Sequence, residues 1–181
     1  GLSAGTYTVT ITDANLCTTT RNVTITQPVA LTATASQTNV SCNGGSNGTA
    51  SVAVSGGTGT YTYSWSPSGG TAATASGLSA GTYTVTITDA NLCTTTRNFT
   101  ITQPTALTAT ASQTNVSCNG GSNGTASVAV SGGTGAYTYS WSPSGGTGAT
   151  ASGLSAGAYT VTITDANLCT TTRNFTITQP T

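Results

Sequence analysis

The residues with the richest chemistry are five cysteines, Cys17, Cys42, Cys93, Cys118 and Cys169, separated alternately by 25 and 51 residues. Thiols bind zinc, act as nucleophiles or oxidise to disulfides. Tetrahedral zinc needs four ligands, and a chain without histidine or a Cys-x-x-Cys pair does not assemble them. Catalysis lacks parts too, since there is no His, Glu or Lys to serve as base or acid. Neither enzymatic activity nor a cofactor or metal is therefore expected. Disulfides remain, and they imply an oxidising, extracellular setting.

Two pairings suit this spacing. Bonds inside a period would join Cys42 to Cys93 and Cys118 to Cys169, leaving Cys17 over. Bonds between periods would join Cys17 to Cys42 and Cys93 to Cys118, leaving Cys169 over. The first is expected, because small domains commonly rely on an internal staple contributing about 2 to 4 kcal/mol. The second stays open, because in an immunoglobulin-like topology the turn after the first strand and the last hairpin lie at opposite ends.

Other groups invite chemistry and also have plainer readings. Asp89, Asn91, Asn43 and Asn47 offer oxygens to calcium, which wants six to eight and usually several carboxylates. With one Asp per period, Asp89 is expected instead to cap a turn and to pair with Arg97 across a hairpin. Tyr61, Tyr63 and Trp65, with Tyr137, Tyr139 and Trp141, could form a platform for sugar rings. Their shared parity along a strand assigns them to the core, together with Tyr83 and Tyr159. Tyr83 also has the placing of a tyrosine corner. Rows such as Thr84, Thr86 and Thr88 suggest ice binding or a glycosylated stalk, but threonine also forms strands well and wets an outward face without charge.

What positions these residues is a repeat. The stretch Gly-Leu-Ser-Ala-Gly-Thr-Tyr-Thr-Val-Thr-Ile-Thr-Asp-Ala-Asn-Leu-Cys opens at Gly1, returns at Gly77 and, with Thr82 replaced by Ala158, again at Gly153. The period is 76 residues. Residues 1–29 are read as the C-terminal part of a preceding, truncated repeat, 30–105 as one repeat and 106–181 as the next. The chain is thus expected to be a window on a longer array.

Within a period, apolar residues alternate with polar ones and no helical spacing occurs. Leu31–Ser36 is a first strand, with Val40 and Cys42 resuming its inward side after a change of phase. Ala50, Val52 and Val54 mark a second. Tyr61, Tyr63 and Trp65 mark a third, expected to be central and ending at Pro67. Ser68–Ser76 holds a weak edge strand. Tyr83, Val85 and Ile87 then lead through a turn at Asp89–Leu92 to a last strand with Phe99 and Ile101 inward. Six or seven short strands in about 75 residues predict an all-β fold, a tandem array of small immunoglobulin-like antiparallel β-sandwich repeats.

The charged residues are three Asp and three Arg, and the net charge is zero. One Arg per period cannot supply the clustered cations that displace counterions from phosphates, which excludes nucleic acid. No apolar run approaches the roughly 20 residues of a membrane helix, so no membrane insertion is expected of this segment.

Four motifs in fixed order carry a resemblance: Val-Ser-Cys-Asn-Gly-Gly, Ser-Gly-Gly-Thr-Gly-x-Tyr-Thr-Tyr-Ser-Trp-Ser, Gly-Leu-Ser-Ala-Gly-x-Tyr-Thr-Val-Thr-Ile-Thr-Asp-Ala-Asn-x-Cys, and Ile-Thr-Gln-Pro. Along the whole chain they resemble the SprB-type repeat of gliding bacteria in the Bacteroidota. Leu16, Leu92 and Leu168 depart from the family, which often has Gly before the cysteine. The resemblance implies a long cell-surface adhesin, exported by the type IX route and carried along the bacterial surface in gliding. On that basis the repeats are expected to form a stalk or spacer, with neighbouring repeats as their first partners. Other copies of the filament and surface glycans are the further candidate partners, and a multivalent carbohydrate-binding module is the alternative function.

Overall fold

The computed structural model describes residues 1–181 and contains fourteen strands and no helix. A lone hairpin, β1 (Gly5–Thr12) with β2 (Thr18–Ile25), comes first. The first repeat then contributes β3 (Thr32–Thr38), β4 (Gly48–Ser55), β5 (Thr62–Ser66), β6 (Thr74–Leu78), β7 (Gly81–Thr88) and β8 (Thr94–Ile101). They form two antiparallel three-stranded sheets, ordered β3-β4-β6 and β5-β7-β8. The second repeat, with β9 (Thr108–Thr114), β10 (Gly124–Ser131), β11 (Thr138–Ser142), β12 (Thr150–Leu154), β13 (Gly157–Thr164) and β14 (Thr170–Ile177), reproduces both sheets. The all-β, tandem sandwich-like reading holds, with six strands to a repeat.

Alternation explains the core. Along β7, Tyr83, Val85 and Ile87 are buried while Thr84, Thr86 and Thr88 lie half-exposed on the other face. Val85 and Ile87 meet Ala50 and Val52 of β4, Phe99 and Ile101 of β8, and Trp65 of β5 in one cluster. Trp65 packs its ring 5.3 Å from Phe99, tilted by 39°, and donates Nε1–H to the Ala72 carbonyl at 2.8 Å. Tyr83 donates its hydroxyl back to the Ser79 carbonyl at 3.2 Å, the tyrosine-corner arrangement. Tyr159 and Trp141 repeat these bonds to Ser155 and Gly148.

The strand carrying Trp65 is an edge, not the centre of its sheet. β5 has only five residues and runs into Pro67, which has no N–H to give a second neighbour, while the eight-residue β7 pairs on both sides. Along one flank the two sheets are stitched together. Gln37 donates to the Thr100 carbonyl at 2.7 Å, Val40 N–H to the Thr102 carbonyl at 2.9 Å, and Arg97 Nε–H to the Ala33 carbonyl at 2.7 Å. Arg97 is therefore a clamp between sheets and not the partner of Asp89.

Outward hydroxyls pair across strands, as in Thr32 with Ser55 (2.8 Å), Ser36 with Ser51 (2.7 Å) and Thr38 with Thr49 (2.7 Å). This ladder gives a nearly charge-free surface its hydration and strand register at once. The β1–β2 hairpin matches β7–β8 in sequence but not in burial: Val9 and Ile11 are 50% and 54% exposed, against 0% for Val85 and Ile87. Nothing in the chain packs on its apolar face as β3-β4-β6 packs on β7–β8.

Candidate functional site

Each repeat has two differently built poles. At the pole where the chain enters, Gly57 N–H donates to the Val29 carbonyl at 2.8 Å, and the β4–β5 turn is tied to the β7–β8 turn. Asp89 makes that tie. Its Oδ2 accepts from Thr58 N–H at 2.9 Å, and its Oδ1 accepts from Asn91 N–H at 2.9 Å and Cys93 N–H at 2.8 Å. Burial by itself raises the pKa of this carboxyl, but the backbone N–H groups of Cys93, Thr58 and Asn91 favour the anion, and the net direction of the pKa is downward. Asp165 is lowered in the same way by Cys169, Thr134 and Asn167. The turn-capping role expected of Asp89 is thus filled, and its net also fixes the late cysteine.

At the pole where the chain leaves, the β3–β4 turn holds the exit segment. Asn43 donates its side-chain amide to the Pro104 carbonyl at 3.0 Å, and Gly44 N–H donates to the Gln103 side chain at 2.7 Å. Cys42 sits in this turn, whose N–H of Gly45 bonds the Cys42 carbonyl at 3.0 Å. The two cysteines of one repeat therefore lie at opposite ends of strands that span about 25 Å, whereas a disulfide needs Cα atoms about 5.5 Å apart.

The expected bonds Cys42 to Cys93 and Cys118 to Cys169 accordingly do not form. The alternative Cys93 to Cys118 fails for a stronger reason: those residues occupy the outermost poles of two consecutive repeats. What forms is Cys42 to Cys169, with a Cα–Cα distance of 5.7 Å, joining the exit pole of the first repeat to the entry pole of the second. Cys17, Cys93 and Cys118 are exposed free thiols.

The bond is the centre of a built junction. Asn167 donates its side-chain amide to the Ser41 carbonyl at 3.0 Å across the boundary. The six-residue linker between β8 and β9 is gripped from both sides, by Asn43 and Gly44 of the first repeat and by Gly133, whose N–H meets the Thr105 carbonyl at 3.0 Å. Gly132 lies so close that a Cβ would collide with the Ala106 carbonyl, and its φ of 74° suits glycine. A cleft of about 390 Å³ remains beside the bond, lined by Cys42, Asn43, Ala106, Leu107, Leu168 and Cys169. Leu168, like Leu16 and Leu92, holds a left-handed φ near 65° with its side chain 81% exposed.

Of the aromatic residues singled out, Trp65, Trp141, Tyr83 and Tyr159 lie in the buried clusters, whereas Tyr61, Tyr63, Tyr137 and Tyr139 are half-buried at their margin. Tyr61 donates its hydroxyl to the Gly56 carbonyl at 2.6 Å and so braces the entry-pole turn. The junction role of Ser41, Asn43, Gln103, Gly132 and Asn167 escaped the sequence reading, in which Asn43 figured only as an oxygen donor to calcium. Their signal was the constant spacing of the Cys-Asn-Gly-Gly and Gln-Pro motifs, which meet in space.

Two β-sandwich-like repeats, joined by a linker held on both sides and by a disulfide, define a class: a tandem structural repeat region. The SprB repeat family model matches residues 34–70 and 110–148, once in each period, and the chain is consistent with a SprB-type repeat. The matched stretches run from the first strand of a sandwich past its Trp-bearing third, and include the Cys-Asn-Gly-Gly turn. The Asp-Ala-Asn-Leu-Cys hairpin and the Gln-Pro linker lie beyond them. No curated protein matches the chain. The family match supports a repeat region of a cell-surface adhesin-like protein.

Proposed function

We propose that these repeats are the stalk of a long secreted adhesin, holding a distal adhesive region away from the envelope in surface attachment and gliding. The observation that carries this reading is the doubly tied junction, the linker and the Cys42–Cys169 bond, which holds one repeat in a set orientation on the next. Its parts are engaged with the linker and the neighbouring repeat. Each repeat adds about 35 to 40 Å, from strands of eight or so residues at roughly 3.3 Å with turns at both ends. Stability then sums over repeats and their interfaces.

The test is replacement in cells displaying the adhesin. Exchanging the repeats for an unrelated rigid β-sandwich array of equal length should preserve attachment and spreading, while deleting them without replacement should abolish both. If the equal-length exchange also abolishes attachment, or if this chain alone binds glycans on an array, the stalk reading is wrong.

A further inference from the structure

The Cys42–Cys169 bond spans 127 residues, one 76-residue period plus the 51 that separate the two cysteines of a repeat. We propose that it is one link of a periodic series in which the early cysteine of every repeat bonds to the late cysteine of the repeat that follows. Cys93 then receives the early cysteine of a copy placed before the first repeat, and Cys118 is joined to the late cysteine of a copy placed after the second. Every exposed thiol in the chain is one whose partner under this rule falls outside residues 1–181, and no cysteine with a partner inside is left free.

Both half-sites are already shaped without their partners. The Cys118 turn keeps the bonds of the Cys42 turn: Gly121 N–H to the Cys118 carbonyl at 3.0 Å, and Ser117 N–H to Asn123 at 3.0 Å, as Ser41 N–H bonds Asn47 at 3.0 Å. Ser117 and Cys118 are exposed where Ser41 and Cys42 are half-buried, and the difference is the neighbouring repeat. At the other pole, Cys93 is held by Asp89 as Cys169 is by Asp165. It lines a cleft of about 330 Å³ with Ala30 and Leu31, in register with the cleft that Ala106, Leu107 and Cys169 line beside the formed bond. At the occupied junction the turn carrying Cys42 and Asn43 stands against those three positions, and at the Cys93 cleft no such turn is present.

Each bond forms when two thiols give up two protons and two electrons to the disulfide of a thiol oxidoreductase, which leaves as a dithiol. The consequence is mechanical and rests on the stalk reading only for its use. Tension entering at Cys42 crosses the sulfurs to Cys169 and bypasses residues 43–168. It then follows 25 residues to the next early cysteine and crosses again. Two repeats therefore add only 25 backbone residues to the load path, about 85 to 90 Å when fully extended, against a folded length of about 70 to 80 Å. Such an array gains little length by unfolding.

Non-reducing peptide mapping of this chain should yield one linked pair, Cys42 with Cys169, and alkylated Cys17, Cys93 and Cys118. A Cys42–Cys93 or Cys118–Cys169 peptide overturns the proposal. Appending one further 76-residue copy should convert Cys118 from an alkylated residue to one linked with the late cysteine of that copy, and a Cys118 still free also overturns it. Pulled from its ends, the oxidised chain should extend to about 20 nm and the reduced chain, or Cys42→Ser, to about 65 nm, at roughly 0.36 nm per residue. Equal extension in both states overturns the load bypass. The bond map can fail while the exchange experiment in cells succeeds, and the reverse, so the two readings fail separately.

Discussion

Asp89 shows how much one carboxylate does in a chain this poor in charge. It closes the β7–β8 turn, ties it to the β4–β5 turn and fixes the backbone of Cys93. Its folded pKa lies below the unfolded one, so the ionised form favours the fold above about pH 4, and that contribution is lost as pH falls through the folded value. Denaturant midpoints should therefore drop between about pH 5 and 2, and Asp89→Asn with Asp165→Asn should lower the neutral-pH midpoint and flatten the profile. Leu92 presents the opposite situation, an exposed side chain on a left-handed backbone. Left-handed φ costs an L-residue about 1 to 2 kcal/mol and glycine's extra unfolded freedom offsets about 0.5 to 1, so Leu92→Gly should stabilise by up to about 1.5 kcal/mol in equilibrium unfolding. Leu92→Val should destabilise.

At the scale of elements, the sandwich depends on its aromatic layer. Trp65 bridges the β5 edge to Phe99 on β8 and anchors the loop before β6 through Ala72. Trp65→Ala removes both and should cost about 3 to 5 kcal/mol, read as loss of one repeat's unfolding transition. A glycan platform would instead lose binding and keep its fold. The linker depends on a missing side chain: Gly132→Ala sets a Cβ against the Ala106 carbonyl at a φ of 74°. It should destabilise the second repeat by about 1 kcal/mol or more and slow oxidation of Cys42 with Cys169, followed by thiol labelling over time.

At the scale of the whole chain, the Cys42–Cys169 bond couples two folded units. Closing a loop of this length removes about 5 kcal/mol of chain entropy from the unfolded state in the loop-closure treatment. Reduction should lower the guanidinium midpoint accordingly and separate the transitions of the two repeats, with Cys42→Ser matching the reduced protein under oxidising conditions. Cys17→Ser should change neither, since Cys17 has no partner in the chain.

Strand positions, the inward set Tyr83, Val85, Ile87, Phe99 and Ile101, and the period were written in alternation and repetition, because side-chain direction in a strand follows from sequence parity alone. The edge position of β5 was less legible, although Pro67 at its end was in view. The partner of each cysteine was not legible at all. A disulfide depends on which poles meet, and that is set by how β3–β4 folds over the exit segment and β7–β8 over the entry segment. The same 76 residues supply both halves of the junction, but a single copy turns them away from each other. Only the packing of one repeat against the next brings Cys42 to Cys169.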